Sequence, residues 1–223
     1  MVFPIINIIA CISILINAKT FSKVLNNLFS YSIFIKSNRL YKIIFFIVLL
    51  EIFIYQILLN YYVLKNAIRF IDFTDWKYLL QILSDLIVAN FLALGNIWFG
   101  NILLFLYIVL KKIHGDLDKL EPVKYLKDNR IKQLDLSSLI LLHKDVFDTC
   151  EDVNDCFGMF SAAYAVYVMI HLALVSMYFL FFRFEIDVTL AWMTNLFLQM
   201  YLVLFAIEKL IREVRLVTFK IYS

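Results

Sequence analysis

Glycine and proline are scarce: the chain has four Gly and two Pro in 223 residues. No stretch has the Gly- or Ser-rich composition of a linker, and no internal repeat is found, so residues 1–223 read as a single domain. A transporter built on paired broken helices would need such breakers at matching places. Cysteine is also sparse, with Cys11 in an apolar stretch and Cys150 and Cys156 beside charged residues. Three thiols, an odd number, do not make a disulfide framework, and these read as small buried apolar side chains. There is no Gly-rich phosphate loop, no His-Glu-x-x-His and no Gly-x-Ser-x-Gly. No catalytic residue, metal site, cofactor or nucleic-acid partner is expected, and the chain does not read as an enzyme.

What the chain has is hydrocarbon. Apolar residues make up 63%, with 22 Phe and 13 Tyr, where a soluble domain has about 45–50%. The expected fold class is all-α: a polytopic helical membrane protein with about five transmembrane helices and long cytoplasmic helical extensions. The expected spans are about 2–18, 43–63, 78–110, 154–182 and 188–207. The first is short for a span and lacks the basic start of a signal peptide, since the first charge is Lys19. Residues 183–187 read as a tight turn. The segments 19–42, 111–153 and 208–223 hold five, eight and four Lys/Arg, 17 of the 21 in the chain. Lys65, Arg69, Lys77 and Arg183 lie in the alternate loops. The positive-inside bias therefore puts the three rich segments in the cytoplasm, with the start of the chain outside and its end inside.

The stretch Leu139 to Phe182 organises the rest. Asp145, Asp148, Glu151, Asp152 and Asp155 recur at three- and four-residue steps and share one helix face. From Phe157 to Phe182 only His171 can carry charge at neutral pH, and that run can cross a bilayer. A charged helix outside the membrane thus feeds into a spanning one with no Pro between. Segment 111–153 is expected to break at Gly115 and Pro122 and otherwise to be helical, extending the third and fourth spans. It is read either as a solvated charged hairpin or as a docking surface. Segments 19–42 and 208–223 are expected to be a basic loop and a basic tail.

Ionisable and amide groups in hydrocarbon are costly and face protein interiors. On this topology Gln56, Asn60, Asp85, Asn90, His171, Trp192 and Asn195 fall at a similar outer depth on four helices. One cavity open to the outside would gather them as a ligand site. Ordinary interhelical hydrogen bonds, about 0.6 kcal/mol each, would also account for them. His143 and His171 lie on opposite sides of the membrane and are not a metal pair. Glu51 sits nearer mid-membrane, where it is either paired or protonated.

Leu142-His143 is followed, eleven residues after the His, by Asn154-x-x-Phe157-Gly158 within Val153–Gly158. This pattern resembles the segment leading into the fifth membrane helix of insect gustatory receptors, where a Leu-His pair precedes an (Ile/Val)-Asn-x-x-Phe-Gly motif. The likeness covers most of the chain. It implies a plasma-membrane chemosensory receptor subunit of a tetrameric ligand-gated cation channel. The implied partners are membrane lipid, a small-molecule tastant and other receptor subunits, docked through 111–153. The five spans would match the family's second to sixth. The chain stops before a last helix with the family's Thr-Tyr-x-x-x-x-x-Gln-Phe type motif, so the resemblance implies a non-conducting product that lacks the pore helix. The alternatives are an odorant receptor-like protein, which would share the architecture, and a transporter or structural membrane protein. A G-protein-coupled receptor would bring Asp-Arg-Tyr and Asn-Pro-x-x-Tyr motifs, and neither occurs.

Overall fold

A computed structural model describes residues 12, 15–34, 57, 61, 65, 76–120, 129–181 and 186–222. Among the described residues every element is helical: α1 (Ala18–Phe34), α2 (Trp76–Leu120), α3 (Asn129–Phe181) and α4 (Ile186–Tyr222). The expected spans 2–18 and 43–63, with Gln56, Asn60, Glu51 and Cys11, lie almost wholly outside the described residues.

At 1.5 Å per residue, α2 (45 residues), α3 (53 residues) and α4 (37 residues) reach about 68, 80 and 56 Å. The hydrocarbon core of a bilayer is about 30 Å thick. Each helix therefore joins an apolar half to a charged half. α3 is continuous through residues 139–181, as its lack of a Pro implies. α4 likewise carries the basic tail as unbroken helix to Tyr222.

Three local expectations are corrected. The segment from Lys19 is a helix and not a loop as far as Phe34. Phe21, Val24, Leu28 and Tyr31 recur at three- and four-residue steps, so α1 has an apolar stripe to bury. α2 does not break at Gly115 but continues to Leu120. One interior Gly costs about 1 kcal/mol relative to Ala, too little to end a helix held by packing on either side of it. Ile186 and Asp187 already belong to α4, so the expected turn there is shorter.

α2 packs against both α3 and α4, and α1 lies on α3. Phe99 stacks on Phe157, and Phe91 meets Phe160 edge-on, so α2 and α3 run antiparallel. Gly100 lies against Val203, and His114 bonds Glu213, so α2 and α4 run parallel. Tyr31 reaches Asp145 while Asn17 reaches Asp155, so α1 runs antiparallel to α3. The charged halves of α2, α3 and α4 thus gather at one end of the bundle, and α1 lies along that half of α3.

Two apolar cores form. The larger, around Val24, Leu106, Leu110, Ile113, Val146, Val153 and Val217, joins all four helices at the charged end. The smaller, around Phe160, Tyr164, Tyr167, Val168 and Leu196, lies toward the other end. Two glycines set the closeness of α2. A Cβ on Gly95 would overlap the Phe160 ring, and one on Gly100 would sit 3.3 Å from Val203 Cγ2. Among the described residues two helical stretches are long and apolar enough to cross a membrane, Ala93–Lys119 within α2 and Leu136–Leu174 within α3.

Candidate functional site

The Asn-x-x-Phe-Gly stretch stands where the charged half of α3 meets its apolar half. Phe157 is buried and is shared by three helices: it stacks on Phe99 of α2 at 5.6 Å and takes Phe21 of α1 edge-on at 5.7 Å. Such pairs add about 0.5–1.5 kcal/mol beyond burial itself. Asn154 and Gly158 are one turn apart, and a Cβ on Gly158 would lie 3.3 Å from the Asn154 amide oxygen. His143 is buried on the same helix, Leu142 packs on the larger core, and His143 Nε2 has no hydrogen-bond partner among the described residues. Burial holds the His143 pKa below its ordinary range.

The acidic face of α3 receives α1. Tyr31 donates to Asp145 at 2.6 Å, Asn27 donates to Thr149 at 2.9 Å, and Thr149 donates to its own helix at the Asp145 carbonyl. Burial, then the bond to Asp145, raises the Tyr31 pKa, so the phenol stays a neutral donor. Lys23 Nζ lies 2.7 Å from Asp152, and the contact and charge of Asp152 raise the Lys23 pKa. The Asn17 carbonyl accepts from Phe21 N as the first bond of α1, and its amide donates to the Asp155 carbonyl. Of the acidic face, Asp145, Asp148, Glu151 and Asp155 stay exposed and Asp152 is half-buried. Cys150 and Cys156 are free thiols, and burial pushes the Cys150 pKa up to about 12.

At the same end α2 and α4 are tied by charge. His114 Nδ1 is 2.5 Å from Glu213, and Lys220 bonds Asp118. The bond from Lys220 holds the Asp118 carboxyl below its ordinary range.

In the apolar half, Tyr164 donates to Gln199 at 2.5 Å, and both are buried. Asn96, also buried, shares a narrow cleft with Gln199, Gly100 and Asn101 between α2 and α4. Tyr167 stacks between Tyr164 at 6.3 Å and the half-buried His171 at 4.7 Å. Asn90 is half-buried on α2. Asp85 lies on α2, and Trp192 and Asn195 lie on α4. Gln56 and Asn60 lie outside the described residues. Ser176 is exposed and donates to the Leu172 carbonyl of its own helix.

The amide and phenol groups of Asn96, Asn101 and Tyr164 were missed by sequence reasoning, which weighed polar groups near the outer membrane depth. Tyr and Asn within an apolar helix are the signal that could have found them, since each seeks a partner when buried. No family model, curated protein or solved structure matches the chain.

Proposed function

We propose that the chain is a chemosensory receptor subunit of the gustatory class, a multi-span plasma-membrane protein with segments 19–42, 111–153 and 208–223 in the cytoplasm. The observation that carries the reading is the setting of Phe157. The residue that anchors the Asn-x-x-Phe-Gly likeness is the ring on which α1, α2 and α3 meet, at the change from charged to apolar helix.

The membrane reading draws support from the outer surface. The apolar stretch Leu136–Leu174 of α3 is for the most part not buried. Met159, Val166, Met169 and Met177 are exposed on it, as are Leu80, Ile87, Leu94 and Trp98 on α2. Apolar surface of that extent is covered by lipid or a partner in a stable protein. The shared end of the three basic segments fits one cytoplasmic face.

The ligand reading draws support from register. The Tyr164–Gln199 bond sets Trp192 of α4 level with His171 of α3, and the Gly100–Val203 contact sets Trp192 at about the height of Asn90 on α2. A small tastant would lie among these residues, in the half opposite the charged end. Subunit docking draws support from Leu136, Ile140, Leu141 and Phe147, which are exposed on the charged half of α3 beside Asp148 and Glu151.

The test is a thermal-shift titration of the full chain, purified from insect cells, against a panel of sugars, amino acids and bitter alkaloids. The reading predicts a saturable rise in Tm for one chemical class, with Kd raised about tenfold by His171→Ala or Asn90→Ala. A panel without any shift, or a shift that both substitutions leave unchanged, overturns it.

A further inference from the structure

Where the hydrocarbon run of each helix ends, α2 and α4 enclose a groove of about 360 Å³. Its charged lining is Lys111, His114 and Asp118 from α2 with Lys209, Arg212 and Glu213 from α4. The two carboxylates are already engaged: Glu213 by His114 and Asp118 by Lys220. Lys111, Lys209 and Arg212 have no carboxylate partner among the described residues. The register that sets His114 beside Glu213 puts Lys111 level with Leu210, between Lys209 and Arg212 on α4. Three cations therefore converge with no anion of their own.

Their height on the bundle says what anion they meet. Lys111 directly follows the apolar run 78–110, and Lys209 lies just past the run 188–207. Each ammonium reaches back over an aromatic ring one turn earlier, Lys111 over Tyr107 at 5.9 Å and Lys209 over Phe205 at 5.2 Å. Aromatic rings and long basic side chains combine in this way at the level of lipid headgroups. On the membrane side of the groove, Tyr201, Leu204 and Phe205 are exposed on α4 and give acyl chains an apolar wall. A soluble phosphate would have no use for that wall.

We propose that the groove lined by Lys111, Lys209 and Arg212 binds the phosphorylated headgroup of an anionic membrane lipid. The site rests on the membrane reading above but not on the identity of any tastant. Basic pockets between membrane helices on the cytoplasmic side hold such headgroups by charge, and the ammonium–aromatic contacts hold the lysines toward them. Occupancy would brace α2 against α4 where His114 and Glu213 meet.

The experiment uses the full chain purified in detergent. A fluorescent dioctanoyl phosphatidylinositol bisphosphate is titrated by polarisation, with dioctanoyl phosphatidylcholine and free inositol trisphosphate as competitors. The combined variant Lys111→Gln, Lys209→Gln, Arg212→Gln should bind at least about tenfold more weakly than the parent. The control Lys19→Gln, Lys144→Gln removes exposed cations elsewhere and should bind as the parent does. Phosphatidylcholine should not compete. Thermal melting of each variant checks that it is folded; if the triple variant melts early, Lys209→Gln with Arg212→Gln supplies the comparison. Parent protein that does not bind the probe, equal losses in the groove and control variants, or inositol trisphosphate competing as well as the whole lipid would each overturn the proposal. Retention of the parent in alkali-washed membranes is scored separately. Release into the wash counts against the membrane reading, whatever the titration gives for the groove.

Discussion

Tyr31 and Thr149, 118 residues apart in sequence, bring their hydroxyl oxygens to 2.9 Å. With Asn27 and Asp145 they make the polar clasp that seats α1 on α3. Tyr31→Phe removes the phenol but leaves Thr149 its bonds to Asn27 and to the Asp145 carbonyl. The expected loss is about 1 kcal/mol in chemical denaturation. Thr149→Val should cost a similar amount. The double variant should lose less than the sum, because both remove the same contact. Full additivity would show that the two hydroxyls are not coupled.

The glycines of α2 give a sharper contrast. Gly95→Ala drives a methyl into the Phe160 ring and should cost about 1–3 kcal/mol, partly recovered in Gly95→Ala, Phe160→Leu. Gly115→Ala meets nothing within 4 Å and should stabilise by up to about 1 kcal/mol through helix propensity. Thermal melting of the three variants reads both signs. A Gly95→Ala protein as stable as the parent would contradict the close packing of α2 on α3.

These two results also mark how far the sequence can be read. The helices, the continuity of α3 and the two-part character of each long element follow from local composition. The five-to-none bias of basic over acidic residues across 19–42 suggests a loop, although Phe21, Val24, Leu28 and Tyr31 carry the helical period that α1 shows. The break expected at Gly115 weighed one residue against a 45-residue helix that packing holds in place. The partner of Tyr31 depends on the register of α1 along α3, which no local pattern encodes. In the candidate ligand site, His171 and Asn90 were legible as costly groups in hydrocarbon. The buried Tyr164–Gln199 pair needed the mutual register of α3 and α4.

The half-buried thiol of Cys150 should be inert. With its pKa raised from 9.0 to about 12, the thiolate fraction at pH 8 is about a thousandfold smaller than for a free thiol. In a Cys11→Ser, Cys156→Ser background, maleimide labelling of the folded protein should be slow and should become rapid in denaturant. Rapid labelling without denaturant would contradict the packing of this face of α3.

His143 predicts a pH dependence. Burial lowers its pKa in the folded protein below the ordinary 6.5, so the unfolded chain binds the proton more readily. Its contribution to stability is therefore present above pH 6.5 and is lost as pH falls below it. His143→Gln should flatten the stability profile below pH 6.5 relative to the parent. Parallel profiles for the two proteins would show that His143 is solvated.

In the proposed topology the charged ends of the bundle share the cytoplasmic face of a membrane. Lys23 with Asp152, His114 with Glu213 and Lys220 with Asp118 already place those ends together. The most direct measurement is glycosylation mapping in microsomes, with an acceptor tag inserted in turn within 19–42, 66–75, 111–153 and 208–223. The account predicts modification of the 66–75 tag alone. Modification of a tag within 111–153, or of none of the four, would contradict it.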